Sequence, residues 1–315
     1  MTARLPNDRV IEWLLDHDPT TRWQALRDLA GTTELAFERE RGKISRQGWG
    51  ARLLAEQDPK GTWAAGKAPD SGLHSPKCTS TTYTMLSLRD FGLPPTTPPA
   101  QKACKLLLEH GLQPDGSINY GTWAKGTRRI ETCVSGMILS ILEYFEYDDA
   151  RLDTLARHLL EQQMPNGGWN CRRPNGATHS SVHTTISVLG GLRHYEVGGG
   201  RGDRKARAAQ QRRREFLLTR RLFRSHRTGA VIKPKFLRFS FPPRWHYAVL
   251  RVLDCFQTVD APREPRLAEA IDIVRNNRRP DGRWPLQNRY PGKTHFELEK
   301  VGAPSRWNTS APCAS

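Results

Sequence analysis

The sequence predicts an all-α fold built from repeated pairs of helices. Stretches with apolar residues at helical spacing alternate along the chain with short turns that contain glycine. The turn glycines recur at intervals of 55, 51, 62 and 53 residues, at Gly61, Gly116, Gly167, Gly229 and Gly282. Recurrence on that scale indicates a helical repeat array rather than two unrelated domains.

The pattern divides the chain into three regions. A helical segment over residues 1–33 contains Trp23, Leu26 and Leu29 on one helical face, and its Asp18-Pro19 step predicts a break. A repeat domain over residues 34–309 follows, and residues 310–315 are predicted to be an irregular tail. Within the repeats, first helices end near residue 57 and cover 100–110, 151–163, 205–223 and 265–278. Second helices begin near residues 79 and 305 and cover 130–146, 179–194 and 245–257.

Each turn has a physical role. Glycine adopts the left-handed backbone conformation that ends the first helix, and a Trp two residues later can cover the turn. A Gln at the end of the helix can hydrogen-bond backbone groups that the turn leaves free. A single pair cannot bury its apolar stripe, so five or six pairs must stack into an open solenoid or a closed ring.

The turn motif resembles that of a known superfamily. The segments QDPKGTW at residues 57–63 and QMPNGGW at residues 163–169 share the pattern QxxxGxW, and RRPDGRW at residues 278–284 matches with Arg in place of Gln. The turn at Gly116 has Ile118 where Trp is expected, and the turn at Gly229 keeps only the glycine. This QW repeat resembles the terpenoid cyclase and protein prenyltransferase superfamily, and in particular small bacterial proteins described as squalene cyclase-like or prenyltransferase-like.

The resemblance covers about residues 45–309. It implies an (α/α) toroid of about five helix-pair repeats, with outer helices surrounding inner helices and a cavity at the centre. The C-terminus departs from that pattern, because after Thr309 the chain reads SAPCAS where an apolar inner helix should continue. The last inner helix is therefore predicted to be missing and the ring open, as expected of a truncated or frame-shifted reading frame.

Composition limits the classes of function. The chain has 315 residues, 37% of them hydrophobic, and has neither an apolar run of about 18 residues nor an apolar signal core, which predicts a water-soluble cytoplasmic protein. Its formal charge of +17 is densest over residues 201–224. That excess indicates a solvated basic helix face or an acidic partner, either an anionic membrane surface or a phosphorylated ligand. Nucleic-acid binding is not expected, because no aromatic platform lies in the basic run.

Ligand-type side chains concentrate where the inner helices of such a toroid begin. Cys171 lies eight residues before His179, which shares a helix face with His183, and the three residues form a candidate zinc site with an open fourth position. The alternative is that His179 caps the helix, His183 is a hydrogen-bonded wall residue and Cys171 is a buried thiol. As candidate acid–base groups we take His179, His183, Glu131 and His246. The wider set at this rim also includes His74, Cys78, Cys133, Trp245 and Trp307.

Basic residues occupy the same loops. They are Lys77, Lys125, Arg128, Arg129, Arg172, Arg173 and Arg244, and they lie near helix N-termini whose dipoles favour anions. A basic rim above an apolar well suits a prenyl diphosphate, with Trp245 and Tyr83 as further substrate-binding residues. Surface solvation accounts equally for each basic residue taken singly.

Two functional hypotheses follow. The first is a prenyltransferase-like or terpene cyclase-like enzyme that handles an isoprenoid, either a prenyl diphosphate or a polyprenyl substrate, in the central cavity. The DxDD acid of protonating squalene cyclases is absent, and so is a DDxxD magnesium signature. The second hypothesis is a non-catalytic toroid that binds a lipid or a partner protein, since function belongs to the site and not to the fold.

Overall fold

The computed structural model describes residues 8–64, 71–120, 131–197, 204–257 and 264–313. Almost all regular structure in these ranges is helical, which confirms the predicted all-α fold. The exception is one short antiparallel pair of strands, β1 (Trp284–Pro285) and β2 (Pro304–Ser305). No helix in the described ranges combines the length and the apolar character that crossing a bilayer requires.

Helices alternate along the chain between an outer and an inner position. The chain begins with α1 (Asp8–Leu15), α2 (Pro19–Asp28) and α3 (Glu34–Arg41). The outer helices of the repeats are α4 (Gly48–Ala55), α6 (Pro98–Gly111), α8 (Arg151–Glu161), α10 (Arg204–Leu218) and α12 (Ala268–Asn276). The inner helices are α5 (Thr81–Phe91), α7 (Thr132–Tyr144), α9 (Val182–Val197), α11 (Val249–Gln257) and α13 (Arg306–Cys313).

Burial distinguishes the two positions. Residues 134–142 of α7 are all buried, because α7 packs between α5 and α9 as well as against the outer helices. The outer helix α6 buries only a stripe that includes Ala100, Ala103 and Leu107, as expected of an amphipathic helix. Glycine lets α7 and α9 approach closely, since a Cβ on Gly136 would lie 2.6 Å from the Cα atom of Val188.

The Gly turns carry the same hydrogen bonds from one repeat to the next. The indole Nε1 of Trp63 donates to the carbonyl of Leu53 at 2.7 Å, and that of Trp169 donates to Leu159 at 2.6 Å. The backbone N–H of each Trp donates to a threonine hydroxyl on the following inner helix, at 3.1 Å in both turns. Trp284 repeats both contacts, with Val274 and Thr309 as the acceptors.

The motif glutamines join neighbouring repeats. Gln57 Nε2 donates to the carbonyls of Gly61 and Pro99, each at 2.9 Å. Gln163 Nε2 donates to Gly167 at 2.8 Å and to Ala209 at 2.9 Å. The second acceptor lies on the next outer helix in each case, so one side chain both closes its own turn and holds the neighbouring repeat.

In the second repeat a tyrosine takes the place of the missing Trp. Ile118 stands at the motif position, and its N–H donates to Ser135 Oγ at 3.0 Å, as a motif Trp would. The Tyr120 hydroxyl supplies the other bond, donating to the Leu107 carbonyl at 2.9 Å. The sequence pattern missed this residue because it lies two positions beyond the motif.

Tyr120→Phe is therefore expected to lower the free energy of unfolding by about 1 kcal/mol, because the substitution leaves the buried Leu107 carbonyl without this donor. Urea unfolding followed by circular dichroism measures the change. Tyr147→Phe, at a half-buried tyrosine after α7, is the matched control. Equal effects of the two substitutions would contradict the proposed role of Tyr120.

The two ends of the chain meet and close the ring. Helix α13 packs against α2, and Arg306 Nε donates to the Trp13 carbonyl at 3.2 Å. Trp23 Nε1 in turn donates to the Phe91 carbonyl of α5 at 2.8 Å. A Cβ on Gly282 would lie 3.1 Å from Val10 of α1. Gly61, Gly116 and Gly167 are similarly close to the next outer helix, whereas a Cβ on Gly229 would have no neighbour within 4 Å among the described residues. By analogy with the first three, α1 and α2 take the positions of a further outer and inner helix.

These contacts correct three predictions. The last inner helix is present as α13, the segment predicted as an irregular tail from residue 310 is helical to Cys313, and the ring is closed in the described residues. The N-terminal segment 1–33 is helical as predicted over residues 8–28 but is part of the ring. The reason is a contact between residues far apart in the sequence: Trp307 of α13 stacks on Phe241 with ring centroids 4.0 Å apart. This contact anchors a helix that is too short to show a periodic apolar pattern.

Candidate functional site

A cavity of about 660 Å³ lies inside the ring of helices. Its walls come from α2, α3, α5, α7, α9, α11 and α13 and from the segment before α11. A volume of this size falls in the range of small-molecule sites, roughly 300–1,000 Å³. The cavity is therefore the first candidate for a functional site.

One wall of the cavity is apolar and aromatic. Phe241 and Trp307 stack with an interplanar angle of 8°, and Phe91 lies with its ring centroid 5.5 Å from that of Trp307. Ile186 of α9 and Leu250 of α11 add aliphatic surface. This wall can bury a hydrocarbon group.

The lining also contains charged residues. Arg89 of α5, Arg193 of α9 and Arg251 of α11 face the cavity from three different inner helices. Asp90 pairs with Arg89 at 2.7 Å, and the remaining charged residues of the lining are Arg27, Asp28, Glu38, Arg41 and Asp254. The cavity thus combines apolar side chains with five arginines and four carboxylates, so it can contact both the apolar and the charged part of an amphipathic ligand.

Enclosure in the cavity shifts the pKa values of two of these residues, Arg251 and Asp254. Burial and the nearby charge of Arg89 lower the pKa of Arg251, whose Nη1 donates to the His246 carbonyl at 3.0 Å. Burial raises the pKa of Asp254, although the charge of Arg193 opposes that shift. Asp254 is exposed to the cavity, so its carboxyl is both accessible to a ligand and surrounded by protein.

The residues that the sequence predicts to form the site lie near the starts of the inner helices and not in the lining of this cavity. Residues 286–305 lie across the starts of the inner helices. His295 Nε2 is 2.9 Å from Thr84 Oγ1, and the Tyr290 ring stacks on His246 at 3.4 Å. Among the described residues, the central cavity is lined by none of the predicted metal ligands, substrate-binding residues or catalytic residues. Trp307, which belongs to the wider predicted rim, does line it.

The predicted zinc ligands are not brought together. His179 is exposed and hydrogen-bonds Thr178 Oγ1 at 2.9 Å, whereas Cys171 contacts Thr184 of α9. His183 Nδ1 accepts a hydrogen bond from the backbone N–H of Tyr247 at 3.0 Å. In the described ranges no three His, Cys, Asp or Glu side chains are placed to hold a metal ion.

His183 and His246 belong to an aromatic cluster. The His183 ring centroid lies 5.3 Å from that of Trp245, which stacks on His246 at 3.8 Å. Burial lowers the pKa of His183 to about 4, and burial followed by the charge of His183 lowers that of His246 to about 3. Both rings are neutral at pH 7 and pack as aromatic wall residues. This agrees with the alternative, given above, that His183 is a hydrogen-bonded wall residue and not a metal ligand.

The remaining predicted residues are dispersed. Arg172 and Arg173 are exposed, and Arg173 Nη1 donates to the Glu161 carbonyl at 2.8 Å. Tyr83 is buried against His74. Glu131 precedes α7 at its N-cap position, and Arg128 and Arg129 lie outside the described residues.

Arg244 is buried and lines a second cavity of about 50 Å³. Its Nε and Nη1 atoms have no hydrogen-bond partner among the described residues, and burial lowers its pKa. Phe241 lines both cavities, so it stands between Arg244 and the central cavity. Arg244 is therefore not placed to hold a headgroup there.

Comparison with known proteins defines no family. No protein-family model matches the chain, and no curated protein does. Among solved structures, a protein from Actinoplanes is 16% identical with a TM-score of 0.46, over 98% of this chain and 96% of its own. The type II terpene cyclase MstE from Scytonema, in an apo form, is 16% identical with a TM-score of 0.32, over 84% of this chain and 92% of its own. Similarity at these levels does not define an activity.

Proposed function

We propose that the protein handles an isoprenoid with a diphosphate headgroup in its central cavity. The observation that carries the proposal is that one cavity is lined both by Arg89, Arg193 and Arg251, from three inner helices, and by the stacked rings of Phe241 and Trp307. The resemblance of the QxxxGxW turns to those of terpenoid cyclases and prenyltransferases supports an isoprenoid over other lipids.

The headgroup would bind the arginines. Guanidinium groups match the oxygen geometry of phosphates and bind them through paired hydrogen bonds. Arg89 and Arg251 are close enough that the charge of one lowers the pKa of the other. A bound anion would relieve that repulsion, although it would share Arg89 with Asp90, which pairs with this arginine at 2.7 Å.

Asp254 is the candidate catalytic acid of the cavity. Its raised pKa increases the protonated fraction of the carboxyl, which can then donate a hydrogen bond to a departing diphosphate oxygen. This proposal moves the acid from the predicted histidines: burial lowers the pKa values of His183 and His246, which lie in the aromatic cluster, and His179 is exposed. A non-catalytic binding protein is the second candidate, favoured because His183, His246 and Glu131 do not line the cavity.

Titration calorimetry with farnesyl diphosphate tests the proposed binding. The wild-type protein is expected to bind farnesyl diphosphate more tightly than farnesol, which lacks the diphosphate, and more tightly than inorganic diphosphate, which lacks the hydrocarbon chain. Arg251→Gln is expected to weaken binding roughly 10–100-fold, as loss of a charged hydrogen bond predicts. A thermal melt verifies that the variant is folded.

Arg172→Gln is the matched control, since Arg172 belongs to the predicted rim and is exposed. It is expected to bind farnesyl diphosphate like the wild type. Weaker binding in Arg172→Gln with none lost in Arg251→Gln would place the headgroup at the other mouth. If the protein releases diphosphate from the bound ligand, and Asp254→Asn slows that release, the result supports the enzyme hypothesis. If the ligand binds and no diphosphate is released, the result supports the non-catalytic binding protein.

A further inference from the structure

Two cysteines from different repeats lie in contact at the start of α7. Cys171 is in the turn after α8, and Cys133 is the second residue of α7. The Cys171 sulfur accepts a hydrogen bond from the backbone N–H of Cys133 at 3.2 Å. The pair is separated by 38 positions in the chain, so the toroid and not a local motif brings it together.

The surroundings favour charge on Cys171 and not on Cys133. The Cys171 sulfur lies 3.4 Å from Thr184 Oγ1 and at the N-terminal end of α7, where the helix dipole stabilises an anion. The hydrogen bond from the Cys133 thiol lowers the pKa of Cys171 to about 7, against the opposing effects of burial and the nearby Glu131. The same contact raises the pKa of Cys133.

This asymmetry is what a peroxide-reactive thiol pair requires. The thiolate is the nucleophile in thiol oxidation, and a neighbouring thiol resolves the first product. Both side chains are half-buried rather than sealed in the core, whereas Cys104 is fully buried and burial raises its pKa. Cys104 therefore serves as an internal reference.

We propose that Cys171 is a reactive thiol that hydroperoxides oxidise and that Cys133 resolves into a disulfide. In the first step the Cys171 thiolate attacks a peroxide oxygen, the O–O bond breaks, and sulfenic acid forms with release of hydroxide, or of alkoxide from an organic peroxide. In the second step the Cys133 sulfur attacks the sulfenic sulfur, and water leaves with the proton of the Cys133 thiol. The two sulfurs together lose two electrons, and the peroxide gains them.

The resulting bond would tie the turn after α8 to the start of α7. Neither cysteine lines the central cavity among the residues described, so the thiol chemistry does not depend on the proposed isoprenoid ligand. Titration with farnesyl diphosphate before and after oxidation separates the two proposals, since either can fail while the other holds.

Hydrogen peroxide added to the reduced full chain, followed by mass spectrometry of alkylated peptides, tests the proposal. The wild type is expected to lose two mass units and to yield a peptide that joins Cys133 to Cys171. In Cys133→Ser the reaction stops at a sulfenic acid on Cys171, which dimedone traps. In Cys171→Ser the peptide with Cys133 stays reduced.

The initial rate at which iodoacetamide alkylates Cys171 provides a second readout. The lowered pKa of Cys171 increases its thiolate fraction at pH 7, so Cys171 is expected to react with iodoacetamide several-fold faster than Cys104, whose pKa burial raises. Cys104→Ser is the control and leaves both rate and product unchanged. A disulfide between other cysteines, or equal rates of oxidation in the wild type and Cys171→Ser, would overturn the proposal.

Discussion

Trp169→Ala is expected to lower the free energy of unfolding by about 3–5 kcal/mol, among the largest effects available in this chain. The indole is fully buried, and it fills the space between α8 and α9. Its removal creates a cavity and also leaves the Leu159 carbonyl without its donor. Urea unfolding followed by circular dichroism measures the loss.

Two further variants separate the contribution of the buried indole surface from that of its hydrogen bond and from the cost of removing any apolar side chain. Trp169→Phe keeps most of the buried ring surface but loses the hydrogen bond, so it is expected to cost less than Trp169→Ala. Leu35→Ala removes an apolar side chain that is 70% exposed, and its cost is expected to stay within about 0.5 kcal/mol. A loss below 1 kcal/mol in Trp169→Ala would contradict the role given to the QxxxGxW turn.

Acid is expected to destabilise the protein well before its carboxylates are protonated. His74 is buried between the rings of Tyr83 and Tyr120, and burial lowers its pKa to about 4. A histidine whose pKa falls on folding contributes its full stability above the unfolded value of about 6.5. That contribution is lost as pH falls toward 4, by roughly 3 kcal/mol for His74.

Urea unfolding at pH 7.5 and pH 4.5 measures this loss. His183 and His246 change stability in the same direction but by smaller amounts, because both are partly exposed to solvent. His74→Asn, which does not titrate, is expected to reduce the difference between the two pH values. His179→Asn is the control, since that side chain is exposed. An unchanged difference in His74→Asn would contradict the burial of a neutral histidine.

The repeat architecture could be predicted because its signals are local. A glycine, a tryptophan and a glutamine within seven residues determine one turn, and the structure gives them the contacts that their chemistry predicts. The closure of the ring could not be predicted in this way. Helix α1 beside Gly282 and helix α13 beside α2 depend on contacts between the two ends of the chain, for which the repeats provide no template.

The residues predicted to form the site differ from those that line the cavity for a related reason. His, Cys and Arg residues near the starts of inner helices suggested a rim, but residues 286–305, which have no periodic pattern, cover that mouth. The charged residues of the cavity lie further along the inner helices. Arg89 near the end of α5 and Arg251 within α11 resemble ordinary solvated positions in the sequence, and only the ring brings them together.

The most direct test of the account is a crystal structure of the protein with a thio-analogue of farnesyl diphosphate. The account predicts diphosphate density between Arg89 and Arg251, with the hydrocarbon chain against Phe241 and Trp307. Density beside His183 and His246, or an analogue bound only on the outer surface of the ring, would contradict it.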